Sequence, residues 1–499
     1  MTSRAARLTD VLVVGAGPAG ASAARLLAAW GHDVVVIDKP GGEAARLAES
    51  IPPSADKILR AIGAIDAVRA AGFLPWRGNT VWWADEQARV ETFPADSLGH
   101  QVVRREFDRV VRTLALGAGA RIEEGRVSEV RLSESPDGES SVVVEQADGV
   151  TEFRSRLVID ASGRAGVVAR NGFRVLDLSR RTVALAGSWR TPDRWAIDDP
   201  SHTLVASYAG GWAWSVPVDA VTRQFTVMVD PARSDLAKGA ASRDVYLLEI
   251  AKVVPFRPLM KRARLVDGPW GADASEYSAS RYSGPGFLLA GDAGSAINPL
   301  SSFGVKKAMA SGWLAAIAAH TALERPAMAG EAFAFFDRRE RAVVTVAAQH
   351  ASQFAIEAAA RTNHPFWLAR AVAADSTVGE VEPDVEALAR DPRVLAAFAD
   401  LRASASVRLS NGPNARIEPR AAVRGREIVM DDHLIHESWP DGLRFLRGID
   451  LVALVRLAPG HSGVGELFEA VRLTSPEIDL PNFLGALSVL LANGSLRRQ

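Results

Sequence analysis

The strongest apolar pattern in the chain lies near its start. Val11-Leu-Val-Val14 is an unbroken run of mostly β-branched residues, as expected of a short parallel strand buried on both faces. It runs into Gly15-Ala-Gly-Pro-Ala-Gly20 and an alanine-rich stretch to about Trp30, which predicts a tight turn and a helix. Gly31 breaks that helix, Val34-Val-Val-Ile37 predicts a second buried strand, and Asp38 closes it. Alternating stretches at 81–83, 203–208, 211–217 and 224–229 predict an antiparallel sheet, with Trp212 and Trp214 on one face of a strand. From about Asp375 the pattern shifts to acids, prolines and short helices. A hairpin around Gly425, a strand over 434–438 and helices over 442–457, 464–471 and 479–493 then follow. The expected organisation is one large α/β domain over 1–375, with a nucleotide-type part (about 8–75, 100–185 and 280–375) and an inserted sheet (about 76–99 and 186–279). Linker helices (376–410) and a small α+β domain (411–499) complete it.

Composition narrows the function classes. The 499 residues carry 58 Lys and Arg against 59 Asp and Glu, so the charge balance does not favour a nucleic-acid or anionic-membrane partner. The absence of cysteine excludes disulfides, thiolate metal sites and catalytic thiols. No metal is expected, and His433, His436 and His461 read as packing or surface histidines. No apolar run is long enough to span a membrane and no signal-like segment leads the chain, so a cytoplasmic protein is expected.

Strand, glycine turn, helix, strand and acid arrive in the order a dinucleotide site requires. Gly15 permits the turn, Gly17 lets backbone approach a pyrophosphate, and Gly20 lets helix and strand pack closely. The helix start offers unpaired N–H groups, and Asp38 can accept from a ribose. The turn alone leaves NAD and FAD open.

Three later segments decide between them. His100-Gln-Val-Val-Arg-Arg-Glu-Phe-Asp108 resembles an R-x-x-F-D segment, Leu157-Val-Ile-Asp-Ala-Ser-Gly-Arg164 a D-A-S-G-R segment, and Gly286-Phe-Leu-Leu-Ala-Gly-Asp-Ala293 a G-D-A segment leading to Ile297–Val305. In this order they resemble the FAD-dependent aromatic hydroxylase and halogenase superfamily. The resemblance implies a Rossmann-type, p-hydroxybenzoate-hydroxylase-like fold holding FAD. The implied FAD-binding positions are Gly15, Gly17, Ala19, Gly20, Asp38, Lys39, Glu49, Ser50, Arg104, Val127, Asp160, Ala161, Gly163, Gly291, Asp292, Pro299, Gly304 and Val305. Pro299 to Gly304 would pass the isoalloxazine ring, with the following helix start directed at it.

Trp212-Ala-Trp-Ser-Val-Pro217 is similar to the halogenases' W-x-W-x-I-P motif, and Glu49-Ser-Ile-Pro-Pro53 to their G-E-x-x-P loop, with Ala48 for glycine. Their essential lysine is missing: Trp76 stands at the expected place and no lysine lies between Lys57 and Lys238. The resemblance then implies hydroxylation through a C4a-hydroperoxyflavin, with O2 as co-substrate and electrons from NAD(P)H bound transiently or from a reductase. Pro299–Gly312 and Asn363-His-Pro-Phe-Trp-Leu-Ala-Arg370 resemble the flavoproteins that mature tryptophylquinone enzymes, implying tryptophan in a precursor polypeptide as substrate. Trp76, Trp212, Trp214, Pro299, Ser301 and Ser302 are the pocket candidates, and no general acid or base is assigned. Halogenation of a small aromatic, a flavin reductase or dehydrogenase, and a flavin-bearing binding or regulatory protein are the alternatives. The C-terminal region resembles the peptide-recognition domain of pyrroloquinoline-quinone biosynthesis, with a DNA-binding winged helix and a dimerisation unit as rivals; oligomeric state is left open.

Overall fold

The computed structural model describes residues 6–39, 46–135, 138–177, 180–239, 241–372, 388, 390–403, 407–413, 415–437, 439–475 and 477–499. The chain forms two compact units, Met1–Ala374 and Asp375–Gln499. In the first, the apolar runs become the core of a parallel sheet. Its elements are β1 (Arg7–Val14), α1 (Pro18–Ala29), β2 (Val34–Asp38), α2 (Arg104–Gly117), β3 (Arg121–Glu124), β4 (Gly149–Asp160), β5 (Phe287–Leu289), α3 (Gly304–Glu324) and α4 (Ala329–Thr362). The parallel strands lie side by side as β5-β4-β1-β2-β3. Val11 to Val14 and Val34 to Ile37 are all buried, which is why these runs lack polar alternation. Val14 stands opposite Ile37 on one side and Asp160 on the other, so β1, β2 and β4 all end beside the glycine turn.

The inserted sheet has seven strands in the order Arg264–Asp273, Val183–Arg190, Thr222–Val229, Gly211–Pro217, Thr203–Tyr208, Gly78–Trp82 and Arg89–Thr92. It departs from the expected antiparallel sheet at one place: Thr203–Tyr208 pairs with Gly78–Trp82 in parallel, since these strands come from separate insertions and no hairpin joins them. One face packs Leu185, Phe225 and Val227 against Val245, Tyr246 and Ile250 of the helix Ser242–Lys252. The other carries Trp83, Trp212 and Met228 against Ala355, Ala358, Phe366 and Trp367, from α4 and the turn after it. At the margin of this sheet Arg223 is fully buried. Its guanidinium donates to Ser215 Oγ (2.9 Å), Pro200 O (2.7 Å) and His202 O (2.6 Å), although burial pulls its pKa down to about 9.

In the second unit Arg416–Arg424 and Glu427–His436 form a hairpin turning at Gly425, and Trp439–Leu443 adds a third strand. The helix expected over 442–457 is confined to Leu451–Leu457. Positive φ at Gly442 (85°), Arg447 (49°) and Gly448 (82°) bends the preceding chain into strand pieces that no α-helix can hold. Ser438, the end of an expected strand, lies outside the described residues. The last two helices are Val464–Thr474 and Leu480–Ala492, the latter capped by Asp479, whose carboxylate accepts from Asn482 N at 2.7 Å. Within the expected linker helices, 392–403 is a helix, and it sends Val394 and Leu401 into the same core as Phe483 and Leu487; residues 376–387 lie outside the described residues. Among the described residues no helix is long and apolar enough to cross a membrane.

Replacing Arg223 by methionine keeps most of the stem but strips Ser215 Oγ, Pro200 O and His202 O of their buried donor. Urea unfolding of the variant should show a stability loss on the order of 3 kcal/mol; an unchanged midpoint would contradict this account of the sheet margin.

Candidate functional site

The glycines of the first turn divide by what surrounds them. Gly15 has φ +98°, and a Cβ there would lie 2.5 Å from Ala161 O. At Gly20 a Cβ would meet Gly15 O at 1.9 Å. Both are closed to side chains by backbone. A Cβ on Gly17 would meet nothing within 4 Å, and its φ of −71° suits any residue. No side chain caps the α1 N-terminus that it opens. Open space before an uncapped helix start is what a pyrophosphate requires. Asp38 stands at the end of β2, accepting from Ala16 N at 3.1 Å and from Arg112 Nη1 at 2.7 Å. Arg112, which belongs to none of the sequence motifs, thus fixes the acid. Lys39 is exposed beside it. Gly125 N donates to Asp38 O (2.9 Å), which brings the strand containing Val127 alongside.

A second opening lies at the start of α3. Asn298 Oδ1 accepts from Leu300 N (3.1 Å), capping the turn Pro299–Ser301, and Ser302 follows with φ +51°. A Cβ on Gly304 would again meet nothing within 4 Å, and the α3 N-terminus has no side-chain cap. Val305 is buried behind it. The two helices are brought together by contacts too close for side chains: a Cβ on Gly312 would lie 2.1 Å from Ala19 O, and one on Gly291 would lie 2.9 Å from Ala19 Cβ. Two uncapped helix starts with open space in front fit a flavin dinucleotide, phosphates at one and the ring at the other.

The ionisable residues around these openings follow the sequence reading only in part. Arg104 is bound by Glu49 (Nη1 to Oε1, 2.9 Å) and by Asp108 (Nε to Oδ1 and Nη2 to Oδ2, both 3.1 Å). Burial opposes its charge, but the two carboxylates outweigh it and raise its pKa. Burial in turn pushes the Asp108 carboxyl up. Asp292 is partly exposed and lies 3.5 Å from Lys307 Nζ, and its backbone O accepts from Tyr277 OH at 2.5 Å. Two expected cofactor ligands are otherwise engaged. Asp160 is fully buried and accepts from Ser162 N (3.1 Å), Ser162 Oγ (2.5 Å), Val168 N (2.7 Å) and Ala169 N (3.3 Å), so its carboxylate shapes the loop after β4. That loop presents Ala161 to Gly15 and holds Gly163 at φ +62°. Ser50 Oγ sits 2.7 Å from both Gln101 Oε1 and Thr203 Oγ1, inside the sheet contact. The motifs located these positions but carried no information on where the side chains point.

Lys307 was missed. It is buried and donates to Gly291 O (3.0 Å) and Ser295 O, tying α3 to the G-D-A turn. Glu340 of α4, buried nearby, has a carboxyl raised from 4.5 to about 6 by burial, with the Lys307 charge and Ser311 pulling the other way. Glu276 accepts from Asn298 Nδ2 at 2.8 Å, and burial raises its pKa.

Of the aromatic candidates, Trp212 and Trp214 stack at 4.9 Å, as their shared face requires. Trp212 is buried in the cluster; Trp214 is half-buried and packs against it together with Leu300 of the 298–304 loop. Trp83 meets Trp212, Phe354 and Trp367 edge-on. The Asn363–Arg370 motif closes this face: Asn363 ends α4 at φ +46°, His364 Nδ1 accepts from Phe366 N (3.1 Å), and Trp367 Nε1 donates to Tyr208 O (2.9 Å). Trp76 stands apart. It is buried, donates to Gly78 O (2.7 Å) and packs edge-on against Phe93.

A family model described as FAD binding domain matches residues 8–318. The chain is 29% identical over 342 residues to a tryptophan 2-halogenase of Chondromyces crocatus, covering 66% of this chain and 64%, less than two thirds, of that protein. It is 28% identical over 364 residues to the flavin-dependent halogenase armH3 of Armillaria mellea, covering 68% of this chain and 72% of that one. Its fold is similar to that of the flavin-dependent halogenase CmlS (TM-score 0.77, 22% identity, 99% and 96% of the two chains). It is also similar to the peptidyl tryptophan dihydroxylase QhpG, essential for tryptophylquinone cofactor biogenesis (TM-score 0.66, 23% identity, 97% and 99%).

Two outcomes are expected here. Gly17→Ala should leave the melting temperature of the apoprotein unchanged yet weaken FAD binding by about tenfold or more, equivalent to about 1.4 kcal/mol, whereas Gly20→Ala should destabilise the apoprotein itself by about 2–3 kcal/mol. Equal loss of stability in both variants would contradict the division drawn above. Glu340 has a folded-state pKa above its unfolded value, so its contribution is fully present below 4.5 and is lost as pH rises through about 6. Melting temperatures measured across that window should therefore fall less with rising pH in Glu340→Gln than in the unsubstituted protein.

Proposed function

The chain belongs to the FAD binding domain family and is an FAD-dependent oxidoreductase of the aromatic hydroxylase and halogenase superfamily, and from that premise we propose that it oxygenates an aromatic ring, with the indole of a tryptophan in a precursor polypeptide as substrate class. One observation carries the choice of oxygen over halogen. At the position expected to hold the halogenases' lysine stands Trp76, an indole buried against Phe93 and committed to Gly78 O, with no amine to offer. The substrate class is supported by the name of the structural relative QhpG. When bound and reduced, FAD supplies the activation of O2 for transfer of one oxygen atom to an electron-rich ring.

The chain's own residues supply the rest. The starts of α1 and α3, uncapped by side chains, would hold the phosphates and the electron-rich edge of the flavin. Arg104, kept charged by Glu49 and Asp108, would hold positive charge along the cofactor's linker. Trp214, Leu300 and Val205 form an apolar wall that keeps water from the reacting ring. Glu276, held by Asn298 directly before the 299–304 segment, carries a proton more readily than an exposed carboxyl and is the group we assign to hold one beside the ring. NAD(P)H or a partner reductase supplies the electrons. In the second unit Arg416–Arg424 is an edge strand that pairs, among the described residues, with Glu427–His436 alone. It offers a sheet edge for a substrate's leader segment to extend.

Halogenation is the second reading, favoured by the names of the curated relatives and by Lys306. The Lys306 amine lies 2.9 Å from Ser54 Oγ, above the Phe303 ring at 4.9 Å, with its pKa lowered by burial and by Lys57. The deciding experiment incubates the protein with FAD, a flavin reductase, NAD(P)H, chloride or bromide, and either free indoles or tryptophan-containing peptides, followed by mass spectrometry. A gain of oxygen mass on the indole is expected. A halogen isotope pattern, lost in Lys306→Gln, would replace this reading with the second.

A further inference from the structure

We propose that His32, His320 and Glu324 form a binding site for one divalent transition-metal ion of the zinc class, at the end of the first unit where α1 and α3 finish. The two helices run in the same direction. Gly312, midway along α3, sits on Ala19 near the start of α1, and farther along both helices His320 packs against Trp30 (ring centroids 5.1 Å apart) and His32 (5.0 Å). His32 lies just beyond the end of α1, and Glu324 is the last residue of α3. The donor atoms of His32, His320 and Glu324 all lie within 4.8 Å of one another, with His32 Nε2 and His320 Nδ1 only 2.7 Å apart.

Three features make this a cation site of a particular kind. His320 and Glu324 are four residues apart on one helix, the spacing that places two ligands on the same face one turn apart. The C-terminal ends of both helices converge here, and each carries partial negative charge that favours a cation, reinforced by the Glu324 carboxylate. Two imidazole nitrogens and one carboxylate oxygen suit zinc, cobalt or nickel better than magnesium or calcium, which prefer all-oxygen shells. His320 is buried and held by Trp30, His32 is half-buried, and Glu324 is exposed. The ion would therefore enter from the Glu324 side and keep a fourth position for water.

At 2.7 Å the two imidazoles share one proton in a ring-to-ring hydrogen bond. On a single tetrahedral ion with bonds of about 2.0–2.1 Å, their nitrogens would stand about 3.3 Å apart. Binding thus requires the ring that donates in this hydrogen bond to carry its proton on its other nitrogen, both imidazoles staying neutral, and parts the rings by well under about 1 Å. The bound ion would clasp the finishing ends of the two helices whose starts hold the nucleotide. No other group of three such donors occurs among the described residues.

The test uses untagged full-length holoenzyme, stripped with chelator and titrated with Co2+ and then Zn2+. One equivalent of Co2+ should bind with the visible absorption of a tetrahedral nitrogen and oxygen shell, and Zn2+ should displace it. His32→Asn and Glu324→Gln, made separately to leave the buried His320 in place, should each weaken binding by about tenfold or more at unchanged FAD content. Zn2+ should raise the melting temperature of the unsubstituted protein and not that of either variant. Absence of the cobalt bands, or equal affinity in the unsubstituted protein and both variants, would overturn the site.

Discussion

The flavin-binding unit is organised around one steric fact: α1 meets its neighbours through backbone. Gly20 rests on the carbonyl of Gly15, Gly15 on that of Ala161, and Gly312 of α3 on that of Ala19, at separations that leave no room for a Cβ. These contacts set how closely α1 packs on the glycine turn and on α3, and so the spacing of two uncapped helix starts whose open fronts fit a flavin dinucleotide. A methyl group at Gly15, Gly20 or Gly312 would push apart the two ends of the cofactor cradle.

Charge is arranged to keep that cradle in shape. Arg104 bridges the strand Ala48–Ile51 to α2 through Glu49 and Asp108, and Lys307 ties α3 to the carbonyls of Gly291 and Ser295. Each cation is taken out of water and compensated by several acceptors, the condition under which a buried charge is tolerated. Asp160 is the anionic counterpart, satisfied by a hydroxyl and three backbone N–H groups. Reach to the cofactor and stiffness of the loops around it thus come from different members of the same motifs.

That division explains what could be read from the sequence. The buried strands 11–14 and 34–37, the glycine turn and the FAD class were legible, because burial on both faces and backbone contact leave a narrow choice of residues. The resemblance implies cofactor contacts for Asp160 and Ser50, whose side chains are engaged within the protein; a motif says nothing of side-chain direction. The 442–457 stretch has helical spacing, yet positive φ at Gly442, Arg447 and Gly448 overrides it. Lys307 and Glu340 lie on helices that show no polar motif, and His32 and His320 are 288 residues apart, so only the folded chain brings each pair together.

The parallel sheet is assembled from widely separated segments: β1 lies between β2 and β4, β4 is flanked by β5, and α1 is covered by α3. During synthesis the first apolar strand and the alanine-rich helix leave the ribosome long before the partners that bury them. β2 and β4 flank β1 by residue 160, before most of the inserted sheet is made, whereas β5 and α3 follow it in the chain. Such a topology leaves the outer edge of β4 and the α3-facing side of α1 uncovered until the insertion has been made. The flavin cradle is therefore completed by segments that the chain supplies only after its largest insertion.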